Sequence, residues 1–153
     1  MYKVGIIGPE CTGKSTLARY LAKRYGGIYV AEYAREYVER KGTTEVSKAD
    51  IDTIATQLIK TMQGLEDKLY FFDTEFIYLK VWYDYAFGKV PSWEEEALRK
   101  YKMDVYLLAY PDIPWEADTA RSNGSDAIRM ELFERYQAEI EALGTPYYII
   151  KHE

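Results

Sequence analysis

Apolar positions along this chain fall into two alternating rhythms, short unbroken runs and longer stretches in which the apolar residues recur every three or four positions. The first run, Lys3 to Ile7, ends at Gly8, and from Lys14 to Tyr25 the residues Leu17, Ala18, Leu21 and Ala22 repeat at helical spacing. Gly26 and Gly27 stop that helix, Ile28 to Ala31 reads as a second buried strand, and Glu32 to Lys41 resumes the helical rhythm up to Gly42. Ser47 with Asp50 forms a capping-box-like start for a helix through about Leu65, and the apolar strand Leu69 to Phe72 then ends at Asp73. An aromatic-rich helix follows from Phe76 to Phe87, Ser92 with Glu95 is expected to cap a shorter one, and Met103 to Ala109 reads as a fourth strand. A loop of about residues 110–125, carrying Pro111, Asp112, Pro114, Asp118 and Asn123, leads into a helix over about Asp126 to Leu143, then Gly144 and a last strand, Pro146 to Ile150.

Five apolar strands alternating with helices predict an α/β fold in which a parallel sheet is covered on both faces, with ligands held at the carboxyl ends of the strands. At 153 residues the chain fits one domain, and no repeat, low-complexity tract or linker divides it.

Charge and composition narrow the partners. A formal net charge of -5 disfavours nonspecific attraction to nucleic acid or to an anionic membrane surface. The one cysteine, Cys11, allows no intrachain disulfide and no Cys-based metal cluster, which fits a reducing cytoplasm. Met1 to Ile7 enters the first strand without a basic leader and no run approaches the roughly 18 apolar residues of a membrane span, so an unprocessed, soluble chain is expected. His152, the only histidine, lies beside the C-terminus and is assigned no role.

The segment Gly8-Pro9-Glu10-Cys11-Thr12-Gly13-Lys14-Ser15 matches GxxxxGK(S/T) and stands where its mechanism requires, after a strand and at the start of a helix. Glycines let successive amide N–H groups curl inward, the helix N-terminus adds positive potential, and Lys14 brings a mobile charge, so the matching guest is a polyphosphate. Gly8, Glu10, Cys11, Thr12, Gly13, Lys14, Ser15 and Thr16 are therefore candidate nucleotide-binding residues, and the Ser15 hydroxyl is a candidate Mg²⁺ ligand. The fold class that follows is a three-layer P-loop NTPase of the nucleoside or nucleotide kinase type.

Phosphoryl transfer needs an acceptor in line, a metal, and positive charge on the moving group. Asp73, at a strand end, can hold Mg²⁺ through water or accept a proton from an attacking hydroxyl; the alternative is that it merely caps the next helix. Glu32, Arg35 and Glu36 share one helical face and can reach a sugar hydroxyl together, or else form a solvated ion-paired face. Arg121 is the candidate lid cation over the phosphates, with Arg129 as a second.

Four stretches taken together, Gly8 to Ser15, Glu32-Tyr33-Ala34-Arg35-Glu36-Tyr37, Phe72-Asp73-Thr74-Glu75 and Pro114-Trp115-Glu116-Ala117-Asp118-Thr119-Ala120-Arg121, resemble the ribosylnicotinamide kinase domain of NadR-type proteins. The resemblance runs from about Val4 to Ile150. It implies transfer of the γ-phosphoryl group of ATP to the 5′-hydroxyl of nicotinamide riboside, with Lys14 and Ser15 on phosphate and Mg²⁺, Glu32 or Asp73 orienting or deprotonating the hydroxyl, and Arg121 in the lid. A cationic nicotinamide ring favours aromatic faces backed by carboxylates, for which Trp115, Tyr33, Tyr78 and Trp82, with Asp118 nearby, are the candidates. Family members usually continue past the last strand into a further helix, so a second copy or a partner subunit is expected to cover that edge. Two other readings fit the same phosphate machinery: a kinase for another nucleoside or small alcohol, and a nucleotide-binding regulatory module that binds ATP, or another nucleoside triphosphate, or hydrolyses it slowly while contacting a partner.

Overall fold

The computed structural model describes residues 1–9, 12–42, 45–112 and 126–151. In chain order the elements are β1 (Tyr2–Ile7), α1 (Lys14–Tyr25), β2 (Ile28–Val30), α2 (Tyr33–Lys41), α3 (Lys48–Gln63), β3 (Leu69–Asp73), α4 (Phe76–Phe87), α5 (Ser92–Lys100), β4 (Val105–Ala109), α6 (Asp126–Leu143) and β5 (Tyr147–Ile150). The strands form one sheet in the order β2-β3-β1-β4-β5, and every pairing is parallel. Alternate side chains sort to opposite faces, as the period of a strand demands. Val4, Ile6 and Phe71 meet Ala18 and Ala22 of α1 on one face, whereas Ile7, Tyr70, Phe72, Tyr106 and Leu108 join the larger core built with α3, α4, α5 and α6 on the other. Burial on both faces is why the central strands read as continuous apolar runs. No described helix is long and apolar enough to cross a membrane.

Two expectations are corrected. The second strand is not buried: β2 sits at the sheet edge, pairs only with β3, and leaves Ile28 38% exposed with Tyr29 and Val30 half-buried. Nor does Ser92 cap α5; the chain enters that helix from an extended Pro91, whose carbonyl accepts the Glu94 N–H at 3.1 Å, and Ser92 is already helical. The capping box of α3 forms as expected, with the Asp50 N–H donating to Ser47 Oγ at 3.2 Å and the Ser47 N–H donating to Asp50 Oδ2 at 2.8 Å. Asp50 also accepts from Lys41 and from the Tyr37 hydroxyl at 2.6 Å, which ties α2 to α3 and holds its carboxyl well below the usual range, Lys41 first among the causes.

Besides Asp50 and Asp73, two glutamates are buried among the described residues. Glu75 accepts the Ile77 N–H at 2.9 Å and the Tyr106 hydroxyl at 3.0 Å, and burial pushes its carboxyl up to about 7. Glu94 is fully buried, neither of its oxygens has a hydrogen-bond partner among the described residues, and burial, followed by the charge of Glu75, pushes it up to about 9.

Candidate active site

The site begins where β1 ends. Gly8 has φ 156°, and a Cβ there would stand 2.8 Å from the Ala109 carbonyl oxygen, so the backbone passes a neighbouring strand too closely for any side chain. Gly13, in the left-handed region at φ 77°, ψ 18°, turns the chain into α1, whose first turn carries no acid and receives no side-chain cap from the described residues. Thr12 Oγ1 and Lys14 Nζ both donate to the Pro9 carbonyl, at 2.7 and 3.1 Å, bracing the curve from within. The uncapped amides of the helix start, the positive helix end and the lysine thus converge on one concavity, as a bound polyphosphate requires.

Asp73, at the end of β3 and 2% exposed, stands across from this turn. Its Oδ2 accepts a hydrogen bond from the Ser15 hydroxyl and a second from the Tyr29 hydroxyl at 3.1 Å, while Oδ1 is buried with no hydrogen-bond partner among the described residues. A buried carboxylate oxygen left open beside a serine hydroxyl, next to a phosphate-shaped turn, is a donor set that fits a hard, oxygen-seeking cation such as Mg²⁺. Asp73 is not the cap of α4. That position belongs to Glu75, and between the two acids Thr74 takes φ 69°, a left-handed conformation uncommon outside glycine that turns Asp73 and Glu75 to different surroundings.

A cavity of about 520 Å³ opens from the turn and is walled by α2, α4 and α6. This is within the range of small-molecule sites. Its phosphate end is made by Gly8, Thr12, Gly13, Lys14, Ser15, Thr16 and Asp73, with Arg19 beside them; α2 with its N-cap contributes Glu32, Arg35, Glu36 and Glu39; Tyr78, Trp82 and Tyr85 line it from α4, and Leu132 and Tyr136 from α6. Charge is distributed unevenly. Cationic Lys14 and Arg19 stand at the loop end, while the α2 wall carries three carboxylates against one arginine, and Arg35 Nε lies 3.2 Å from Glu39 Oε1. The Tyr78 and Trp82 rings, 5.6 Å apart and tilted by 57°, serve both as cavity wall and as packing against the core.

The structure therefore brings Gly8, Thr12, Gly13, Lys14, Ser15, Thr16, Glu32, Arg35 and Asp73 to one cavity. Two expected members are elsewhere. Tyr33 turns to a smaller cavity of about 40 Å³ between α2, α3 and α4, with its hydroxyl accepting from Arg40 at 3.1 Å. Arg129 is fully buried one turn into α6, with Nη1 3.4 Å from Asp126 Oδ1, rather than on the cavity wall. Glu10, Cys11, Trp115, Asp118 and Arg121 lie outside the described residues. Sequence reasoning missed Tyr29, Arg19, Tyr85, Leu132 and Tyr136. Arg19 had a signal, four positions from Ser15 on the same helix face; the tyrosines had none, since their arrival depends on strand order and helix packing. Burial, followed by the charge of Asp73, pushes the Tyr29 phenol up to about 12, so it remains a hydrogen-bond donor at neutral pH.

Sheet order, loop and cavity together define a P-loop fold of the nucleoside and nucleotide kinase type. A family model described as AAA domain matches residues 3–153, and the chain belongs to that family. The chain is 32% identical over 134 residues to the trifunctional NAD biosynthesis/regulator protein NadR of Escherichia coli (strain K12), covering 84% of this chain and 33% of that protein. It thus spans about a third of the length of the curated relatives it matches. A crystal structure of NadR protein in complex with NR superposes with a TM-score of 0.71 at 24% identity, covering 97% of this chain and 43% of that one. A second, in complex with NAD and AMP-PNP, gives a TM-score of 0.71 at 25% identity, covering 99% and 44%.

Proposed function

We propose that this chain transfers the γ-phosphoryl group of ATP to the 5′-hydroxyl of nicotinamide riboside, giving nicotinamide mononucleotide. The observation that carries the reading is the mixed lining of one cavity: the phosphate turn with Lys14 and Asp73, the carboxylates Glu32, Glu36 and Glu39, and the rings of Tyr78, Trp82 and Tyr85. A cationic nicotinamide ring gains from aromatic faces and carboxylates, whereas the triphosphate gains from amides and Lys14. Similarity to NadR, and the NR and AMP-PNP bound in its structures, support the same pair of guests.

The roles follow from placement. Amides of Gly8 to Ser15 and the Lys14 ammonium hold the β- and γ-phosphates, and Ser15 with Asp73 holds Mg²⁺. Held there, the ion would offset negative charge on the triphosphate. Glu32, at the N-cap of α2 and on the cavity wall, orients the ribose hydroxyl and takes its proton, since Asp73 already spends one oxygen on two hydroxyl donors. The bond from O5′ to the γ-phosphorus forms as the bond to the β-phosphate oxygen breaks, and ADP leaves. Arg35 steadies the carboxylate wall. For Trp115, Asp118 and Arg121, which lie outside the described residues, the roles proposed are those the family resemblance implies, Trp115 and Asp118 for the ring and Arg121 for the phosphates.

The test is direct. Pure protein incubated with γ-labelled ATP, Mg²⁺ and a panel containing nicotinamide riboside, adenosine, cytidine and thymidine is expected to place label on nicotinamide riboside in preference to the others. Label on another nucleoside would move the acceptor, and nucleotide binding with no labelled acceptor would reject the kinase reading.

A further inference from the structure

We infer that Tyr29 is a positioning residue for the metal-side carboxylate: by holding Asp73 Oδ2 it leaves Oδ1 as the oxygen presented to a metal–triphosphate in the loop. This rests on the reading of the loop as a phosphate site and is independent of which acceptor is used.

The geometry starts from register. Tyr29 pairs with Phe71 across the parallel β2–β3 ladder, and Asp73 lies two residues further along β3, so Tyr29, Phe71 and Asp73 point to the same face of the sheet. That face is the one covered by α1, from whose first turn Ser15 reaches down. Two hydroxyls, one from the helix and one from the edge strand, therefore converge on the same oxygen. An aspartate side chain fixed by its strand keeps one soft rotation about the bond to its carboxyl carbon, and two donors on Oδ2 stop it. Oδ1 is then the open oxygen, buried and without a hydrogen-bond partner among the described residues.

Tyr29 is itself held. Its ring packs against the apolar cluster of Val4, Ile6, Ala18 and Phe71, and the Arg19 guanidinium lies 5.6 Å over its face. The phenolic oxygen is thus the end of a rigid strut rather than of a swinging side chain. The two donors differ in what a bound cation asks of them. Ser15, as the candidate ligand, must turn its oxygen lone pairs to the metal, and its hold on Asp73 loosens when it does so. Tyr29 has no such second duty, so it is the donor that keeps Oδ2 in place in the loaded state.

Tyr29→Phe removes the hydroxyl and leaves the ring, its apolar contacts and the stacked arginine. Calorimetric titration of AMP-PNP at stepped Mg²⁺ concentrations is the measurement. The Mg²⁺ needed for half-maximal tight binding is expected to rise about tenfold in the variant, the size expected when a charged acceptor loses one donor. Affinity without Mg²⁺ is expected to stay within about twofold of the original, because among the described residues the Tyr29 hydroxyl engages the side chains of Asp73 and Ser15 and no backbone amide of the loop. In an Asp73→Asn background, the Tyr29→Phe change is expected to add nothing. An unchanged Mg²⁺ dependence, a parallel fall in Mg²⁺-free affinity, or an equal shift in the Asp73→Asn background would each overturn the assignment, as would nucleotide binding by the unaltered protein that ignores Mg²⁺. A failed transfer to nicotinamide riboside would leave these outcomes untouched, so the two ideas fail separately.

Discussion

Replacing Lys14 by alanine is expected to lower kcat/KM for phosphoryl transfer by about 10³-fold or more, the range in which loss of a cation from a transferring phosphoryl group falls. The reason lies in where the side chain stands. Lys14 opens α1, its ammonium donates to the Pro9 carbonyl at 3.1 Å, and it lines the same cavity as Ser15 and Asp73. It is half-buried at the cavity wall and belongs to neither apolar cluster. Truncation should therefore cost about 1 kcal/mol or less of folding stability. A steady-state assay paired with a thermal melt checks both halves. A variant that keeps its turnover would remove Lys14 from the chemistry, and one that unfolds would make it structural.

Glu94→Gln is expected to make the protein more stable in alkaline conditions, and the difference should grow with pH. The folded-state carboxyl of Glu94 is pushed from an ordinary 4.5 up to about 9, by burial first and then by the charge of Glu75. Between those two pH values the folded protein retains a proton that the unfolded chain has released. The stability slope with pH is therefore negative for this group, and its contribution is fully present below about 4.5 and lost by about 9. At pH 8 the cost of holding the acid inside is on the order of 5 kcal/mol, which glutamine, neutral at every pH, does not incur. Glu75, raised to about 7, keeps its own shallower decline in the variant. Denaturant unfolding from pH 5 to 9 should show the two curves close at the acid end and apart at the alkaline end. Curves that remain parallel would mean that Glu94 is ionised and solvated in the folded protein.

How the chain announces these features differs from one to the next. The phosphate turn was legible because its chemistry is local: Gly8, Gly13, Lys14 and Ser15 act through spacing alone, and a strand before and a helix after supply the rest. The ends of α4 and α6 were legible for a related reason, since Gly88 and Gly144 follow them with φ of 63° and 72°. Asp73 was placed correctly at a strand end, but that Glu75 rather than Asp73 caps the next helix depends on the left-handed turn at Thr74, which no local pattern announces. β2 has the same apolar look as the central strands, and only the order of strands, a tertiary fact, puts it at the edge and swings Tyr29 over Asp73. The interior place of Glu94 had a faint signature: it is buried together with Ala97 and Leu98, three and four positions on, while its neighbour Glu95 pairs with Lys80. In a run of three glutamates that spacing is easily read as a solvated face. Tyr33 and Arg129 show the opposite failure, chemistry-bearing residues near the right loops whose side chains pack elsewhere.

The amides of the turn are where the account is most exposed. Backbone amide resonances of ¹⁵N-labelled protein, followed as Mg²⁺ and AMP-PNP are added, report on that turn without requiring any acceptor or turnover. Saturable shifts concentrated on Gly8, Gly13, Lys14, Ser15 and Thr16, with α5 and β5 unmoved, are the expected result. Resonances of the turn that stay in place while nucleotide binds elsewhere, or does not bind, would contradict it.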